Sequence, residues 1–595
     1  MDYRACPNLV RMLLDRAAEL GDKPALWAKR HHHWTPLSYG ELGREINRLA
    51  RGLRTLGVGP GDRVGLVAEN RPEWIIADYA IMATGAITVP AYTTNTVADH
   101  RHIFGNAGVK GVIASTQTLA DLALRAARDT PGCGFLIAIE PPDVAQYVGL
   151  SVISWNDALA RGDAAPDDIP AMISRLNRTD LACIIHTSGT GGLPKGVALS
   201  HGAILSNCLG AYDLLAELGL NDETFLSFLP LSHSYEHTCV GAFALSIGAQ
   251  VYFAESAEAL PRNMAEARPT IMTAVPRLYE TMHQRILSGL RREKPQKAKL
   301  FMKTVELGRR RYEDPRSLSL IDRLFDRILD ILVRKKVQAR FGGRLKAFVS
   351  GGAPLNYDIG LFFTALGVRL LQGYGQTESA PVIACNRPYR VKLETVGPPL
   401  TDVEVRIADD GEVLVRGELV MSGYWNEPEA TASAVRDGWL HTGDIGLIDP
   451  DGYIKITDRK KDFIKNSGGD MIAPARIEGL LAIQPEIAQA MVYGDRRPYL
   501  VAVIVPHQET IEAAAKASGA PADLASMGDN KALRGAIEKA IERVSSQLAG
   551  HERVRRFILA REPFTIANEM MTPTLKIRRH KVREMYGQQL DALYQ

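Results

Sequence analysis

His186-Thr187-Ser188-Gly189-Thr190-Gly191-Gly192-Leu193-Pro194-Lys195-Gly196 follows directly on the apolar run Ala182-Cys183-Ile184-Ile185. The run reads as a strand, and the segment after it as a loop built to hold an anion. Glycines and small hydroxyl side chains let backbone N–H groups approach a phosphate closely, and Lys195 adds a positive charge. The spacing is not that of the P-loop, G-x-x-x-x-G-K-[ST], because Lys195 stands between Pro194 and Gly196.

Outward from this loop, short apolar strands alternate with helical stretches. Arg63 to Ala68 reads as a buried strand, and Trp74 to Ala83 as a helix that starts near Asn70, Pro72 and Glu73. Asn70 is placed to accept from a backbone N–H there. Further strands are expected at Ile87–Pro90, 111–114, 250–253 and 270–273. Such alternation implies mostly parallel sheets covered by helices, an α/β class. Residues 284–346 differ, being helical and rich in charge. There Ile321, Leu324, Phe325, Ile328 and Leu332 form an apolar stripe, with Asp322, Arg323, Asp326, Arg327 and Asp330 elsewhere on the same helix. The stripe is expected to pack on the body of the protein. Basic clusters at 291–292, 309–311 and 334–336 keep a membrane-surface helix as the alternative.

From about residue 391 the chain becomes strand- and turn-rich, and a hairpin is expected from Ile487 to Val505, turning at Gly494 and Pro498. The expected division is a large unit over 1–457, with its β-rich part at 391–457, a hinge at Asp458, and a small α+β unit over 459–595. The 595 residues exceed one core, since single domains seldom pass about 250–300 residues. Apolar residues make up 46% and charged residues 23%, ordinary globular usage. A formal net charge of +3 on this length gives no reason to expect nucleic acid. None of the six cysteines lies in a C-x-x-C pair, which argues against a disulfide framework and for reduced thiols. The first residues lack a signal-peptide pattern, and no run of about 18 apolar residues exists. A cytoplasmic protein is expected, with peripheral membrane contact and a homodimer left open.

Further segments carry chemistry. Tyr374-Gly375-Gln376-Thr377-Glu378 combines a flat aromatic suited to a purine face with a carboxylate suited to a hard cation. Asp444, in Asp437 to Gly446, is a natural bidentate acceptor for a cis-diol. Taken with the glycine-rich loop and in this order, these motifs resemble the adenylate-forming superfamily, which includes acyl-CoA synthetases, luciferases and peptide-synthetase adenylation domains. The usual phosphate loop has a second threonine where this chain has Gly191. The stretch from Asp437 to Glu478 resembles fatty acyl-CoA synthetases in particular, departing at Asp470, where many relatives carry glutamate.

The resemblance implies a fold of two helix-covered sheets plus a small β-barrel-like subdomain, with a smaller mobile α+β C-terminal domain. It implies ATP, Mg²⁺ and coenzyme A as ligands and a fatty acid as substrate. Thr187, Ser188, Gly189, Thr190, Gly191, Gly192 and Lys195 would cradle phosphate. Tyr374 would stack on adenine beside Gly375, Thr377 would contact the α-phosphate, and Glu378 would bind the metal. Gly352, Ala353 and Pro354 would line the adenine and acyl pocket. Asp444 and Arg459 would hold the ribose, and Gly468 and Gly469 the pantetheine path. His233 would sit near the adenylate, Tyr235 would shape the acyl entrance, and Lys576 would bridge the fatty carboxylate and the α-phosphate. The expected activity is ATP-dependent activation of a long-chain fatty acid and its transfer to coenzyme A. The competing readings are an acyl-AMP ligase serving a carrier protein, a luciferase-like oxygenase and a silent adenylate-binding protein.

Overall fold

A computed structural model describes residues 1–140, 150–187, 193–460, 464–468, 470–519, 521–572 and 576–595. Two eight-stranded sheets form the large N-terminal part. The first runs, edge to edge, Gly423–Tyr424, Lys195–Ser200, Leu181–Thr187, Ile87–Pro90, Arg63–Val67, Gly111–Ala114, Phe135–Ala138 and Ser151–Ser154. The second runs Val382–Cys385, Leu370–Gly375, Ala347–Ser350, Ile271–Ala274, Thr224–Ser227, Gln250–Phe253, Pro24–Arg30 and His33–Ser38. Inner strands such as Ile87–Pro90 and Ile271–Ala274 are buried along their whole length, as parallel strands covered on both faces must be. The alternation read from the sequence therefore gives an α/β fold. His31 and His32, both at positive φ, make the turn of the hairpin at the outer edge of the second sheet.

A five-stranded antiparallel sheet follows, built around Trp439–Ile448 with Glu404–Ile407, Glu412–Arg416, Val435–Arg436 and Ile454–Arg459. The smaller C-terminal part carries the three-stranded sheet Ile487–Tyr493, Leu500–Pro506 and Val554–Leu559. Alternate residues of its central strand enter two separate cores, Leu500, Ala502 and Ile504 on one face and Val501, Val503 and Val505 on the other. Among the described residues, no helix is long and apolar enough to cross a membrane.

Two expectations are corrected. The helix Pro72–Ala83 is preceded by Arg71 with no side-chain cap, and Asn70 accepts instead from the N–H of Leu231, at 3.0 Å. The stripe of the charged insertion does not pack on the body. Ile321, Leu324, Ile328 and Leu332 are exposed, Phe325 is half-buried, and the opposite side of the helix faces inward through Asp326, Leu329 and Val333. Its acids find partners there. Asp326 pairs with Arg311 at 2.9 Å and with the buried Arg334 at 2.6 Å, and Arg334 also bonds the carbonyls of Thr304 and Ala365.

Candidate active site

Strands Thr224–Ser227, Ile271–Ala274, Ala347–Ser350 and Leu370–Gly375 run parallel and side by side, so the loops that leave them open on one edge of the sheet. In open α/β sheets that edge is where ligands bind. These loops carry His233, Gly352, Ala353, Pro354, Thr377 and Glu378. Gly375 is dictated by close approach, and Gly351 stands in a tight place. A Cβ on Gly375 would stand 1.8 Å from the carbonyl oxygen of Pro381, and one on Gly351 would stand 3.2 Å from the ring of Tyr235. Gly352, Ala353 and Pro354 are exposed at the rim.

Asp444 is buried, while its cross-strand neighbour Arg459 is exposed. The Tyr374 hydroxyl donates to Asp444 Oδ2 at 2.7 Å, and Arg459 Nε donates to Oδ1 at 3.1 Å. The Tyr374 ring therefore stands beside a carboxylate gripped from two sides. Burial, and then the Asp444 charge, push the Tyr374 hydroxyl well above its ordinary pKa, so it remains a donor.

Thr187 ends one strand of the hairpin that carries the glycine-rich loop and Lys195 begins the next, the two standing opposite each other in the ladder. Ser188, Gly189, Thr190, Gly191 and Gly192 lie outside the described residues. Lys195 Nζ lies 5.1 Å above the centre of the Tyr424 ring and 3.5 Å from Glu427. The hydroxyl of the same tyrosine donates to Glu378 Oε1 at 2.8 Å. The backbone is fixed as well, since the Glu378 carbonyl accepts from the Met421 N–H. Burial and the Glu378 charge hold the Tyr424 hydroxyl protonated. Among the described residues no three His, Cys, Asp or Glu side chains cluster as a metal cage. A single oriented carboxylate is what Mg²⁺ needs when phosphates and water supply its other ligands, so Glu378 fits such an ion.

His233 caps the short helix Ser234–Glu236 by accepting from the Tyr235 N–H. Burial, and then the positive charge of Lys576, lower its imidazole to about 3. The lysine of the C-terminal part thus acts on a histidine of the large part. The Thr377 and Ser234 hydroxyls meet at 3.0 Å, and the Tyr235 hydroxyl donates to the Val349 carbonyl, placing its ring among Leu229 and Val275. Gly468 sits in a turn closed by Asn466, whose side chain bonds Asp470 twice. Gly469 lies outside the described residues.

Three residues were not singled out from the sequence for these contacts. Asn70 donates to Ser227 Oγ and to the Leu229 carbonyl and accepts from Leu231, so it fixes the loop that delivers His233. Tyr424 joins Lys195 to Glu378. Buried Glu236 accepts from Ser227 and Thr273, both at 2.6 Å, beneath Tyr235. Glu236 stands next to Tyr235 and three residues from His233, and that closeness was its only signal in the sequence.

Polar groups on the open edge of a parallel sheet and in the strands beside it, with a smaller C-terminal domain, are the arrangement of an adenylate-forming architecture. The chain belongs to the AMP-binding enzyme family, whose model matches residues 13–425, and the model of that family's C-terminal domain matches residues 461–595. Its relatives there include the long-chain-fatty-acid–CoA ligase FadD15 of Mycobacterium bovis, 34% identical over 94% of this chain and 92% of that protein. The human long-chain-fatty-acid–CoA ligase 6 is 31% identical over 95% of this chain and 83% of its own. Among solved structures, the A domain of the carboxylic acid reductase from Segniliparus rugosus, in complex with AMP, has the same fold, with a TM-score of 0.78 at 23% identity over 99% of this chain and 94% of that one.

Proposed function

We propose that this protein activates a long-chain fatty acid with ATP and passes the acyl group to coenzyme A. What supports this reading is the family match together with the contacts Tyr374–Asp444–Arg459 and Lys195–Tyr424–Glu378, gathered beside the loops that carry Thr377 and His233. The first step brings two anions together. A fatty carboxylate oxygen attacks the α-phosphorus of ATP in line, the bond to pyrophosphate breaks, and an acyl-adenylate forms.

Lys195, Lys576 and the backbone N–H groups of the phosphate loop offset the repulsion. Electrostatic contacts set in place beforehand are usually the largest contribution to such catalysis. Thr377 orients the α-phosphate, Asp444 accepts from the ribose hydroxyls with Arg459 holding it, and Tyr374 offers its ring to adenine. Glu378 would hold Mg²⁺, which neutralises phosphate charge when bound. His233 is neutral at working pH, so it positions by hydrogen bonding and not as an acid. In the second step the coenzyme A thiol attacks the acyl carbon and AMP leaves. Gly468 lines the approach of the pantetheine arm, which the small domain presents after turning about Asp458.

The names of the relatives support the long-chain substrate and the coenzyme A acceptor. Each buried methylene contributes about 0.8 kcal/mol, so an apolar acyl site would favour long chains strongly. The test is exchange of labelled pyrophosphate into ATP with a panel of acids, followed by thioester formation with coenzyme A or with a carrier protein. Exchange that requires a long-chain acid, with transfer to coenzyme A, is expected. Absence of exchange with every acid would overturn the reading, and transfer to a carrier protein alone would reassign the acceptor.

A further inference from the structure

The charged insertion turns its apolar stripe to solvent. Helix Leu320–Leu329 and the π turn Asp330–Arg334 expose Leu320, Ile321, Leu324, Ile328, Ile331 and Leu332 along one side. Ile321 is 81% and Leu324 63% exposed, values far from those of a packed helix face. Isolated exposed apolar side chains need no explanation, but a contiguous ridge marks an interaction surface.

The charges say what kind. Asp322 is occupied by the Ser319 cap and by Arg310 at 3.5 Å, and Asp326 and Asp330 are paired with Arg311 and Arg334. The acids of the helix are therefore neutralised by the protein itself. Arg323, Arg327, Lys335 and Lys336 are all exposed, and among the described residues none has an ion-pair partner. An apolar ridge flanked by unneutralised cations is the pattern of a helix that lies in the plane of an anionic bilayer, its apolar side among the acyl chains and its cations at the headgroups. A second copy is a poorer occupant. A twofold contact through this ridge would bring the same cations face to face.

We propose that the exposed side of residues 320–336 is a docking surface for a bilayer containing anionic lipid. The proposal rests on this surface and not on the reaction assigned above, so the two stand or fall separately. If both hold, the protein takes its substrate at the surface where fatty acids partition.

The experiment is co-sedimentation of the full-length protein with vesicles of phosphatidylcholine alone and with vesicles in which about a third of the lipid is phosphatidylglycerol. The protein should bind the anionic vesicles preferentially, and salt should weaken that binding. The double variant Ile321→Glu, Leu324→Glu should lose roughly tenfold or more of the affinity, and Arg323→Ala, Arg327→Ala should lose roughly tenfold together with most of the salt dependence. Activity on detergent-dispersed acid should be unchanged in both. Because the four side chains are exposed, neither variant should shift the melting temperature, and Ile321→Ser, Leu324→Ser provides a check without added charge. Wild type and variants sedimenting alike, or no sedimentation at all, would overturn the proposal. A dimer seen by light scattering and dissolved by the Ile321→Glu, Leu324→Glu variant, without vesicle binding, would overturn it in favour of self-association.

Discussion

Lys576 and His233 come from distant parts of the sequence, and the lysine's charge adds to burial in lowering the histidine's pKa. If Lys576 serves only the meeting of the two anions, Lys576→Ala should lower adenylation, read by pyrophosphate exchange, by on the order of 10²–10³. It should still convert supplied acyl-adenylate to thioester, and equal loss of both steps would contradict the assignment. His233 makes a different prediction. Its imidazole is held at about 3, so no histidine inflection from this residue should appear in kcat/KM between pH 5.5 and 8. Glu236 is displaced in the other direction, to about 7 from an ordinary 4.5, by burial. The folded protein keeps a proton that the unfolded chain releases. Stability is full below about pH 4.5, falls as the pH rises towards 7 and then levels, a loss on the order of 3 kcal/mol. Melting wild type and Glu236→Gln at pH 5 and pH 8 should show that loss in wild type alone. Tyr374, Glu378, Asp444 and Arg459 were legible as candidates because each stands in a recognisable motif, Asp444 within the strand Trp439–Ile448 and Tyr374 and Arg459 near the ends of theirs. Asn70 and Tyr424 were not, because their partners lie far away in sequence and only the fold brings them close.

The insertion shows what periodicity can and cannot say about an element. The spacing of Ile321, Leu324, Ile328 and Leu332 fixed a helix with two unlike sides, but not which side turns inward. Burial of a polar side is expensive unless every charge is paired. Here Arg334 supplies the pairing, holding Asp326 and Asp330 and reaching the carbonyls of Thr304 and Ala365. The single arginine thus decides the orientation. Replacing it should leave Asp326 buried with less compensation, and Arg334→Ala should cost about 3 kcal/mol or more in urea unfolding. A change within about 0.5 kcal/mol, typical of a surface site, would show that the pairing is not what seats the helix.

At the scale of the molecule, the small domain touches the large one through hydrogen bonds from Arg277 to the Ala488 carbonyl and from Asn356 to the Gly479 carbonyl. The alternation of strands and helices in the sequence announced the two sheets, and the hairpin Ile487–Tyr493 with Leu500–Pro506 announced the separate small core. The mutual placement of the parts was not legible, since the contacts that set it join residues far apart in the sequence. If the domain must turn between the two steps, tethering should separate them. With cysteines at positions 356 and 479 joined by a short thiol-cleavable crosslinker, the protein should form acyl-adenylate once and stall before the thioester. Reductant should restore turnover, and unimpaired thioester formation in the crosslinked state would exclude the rotation.

Tyr424 has one more consequence. Its ring face holds a cation while its hydroxyl holds an anion, so it works as an insulating spacer between Lys195 and Glu378. Without that slab of carbon the two opposite charges could collapse onto one another, and an arriving nucleotide would first have to prise them apart. With it, the two charges are held apart, Lys195 against Glu427 and the ring face and Glu378 against the hydroxyl.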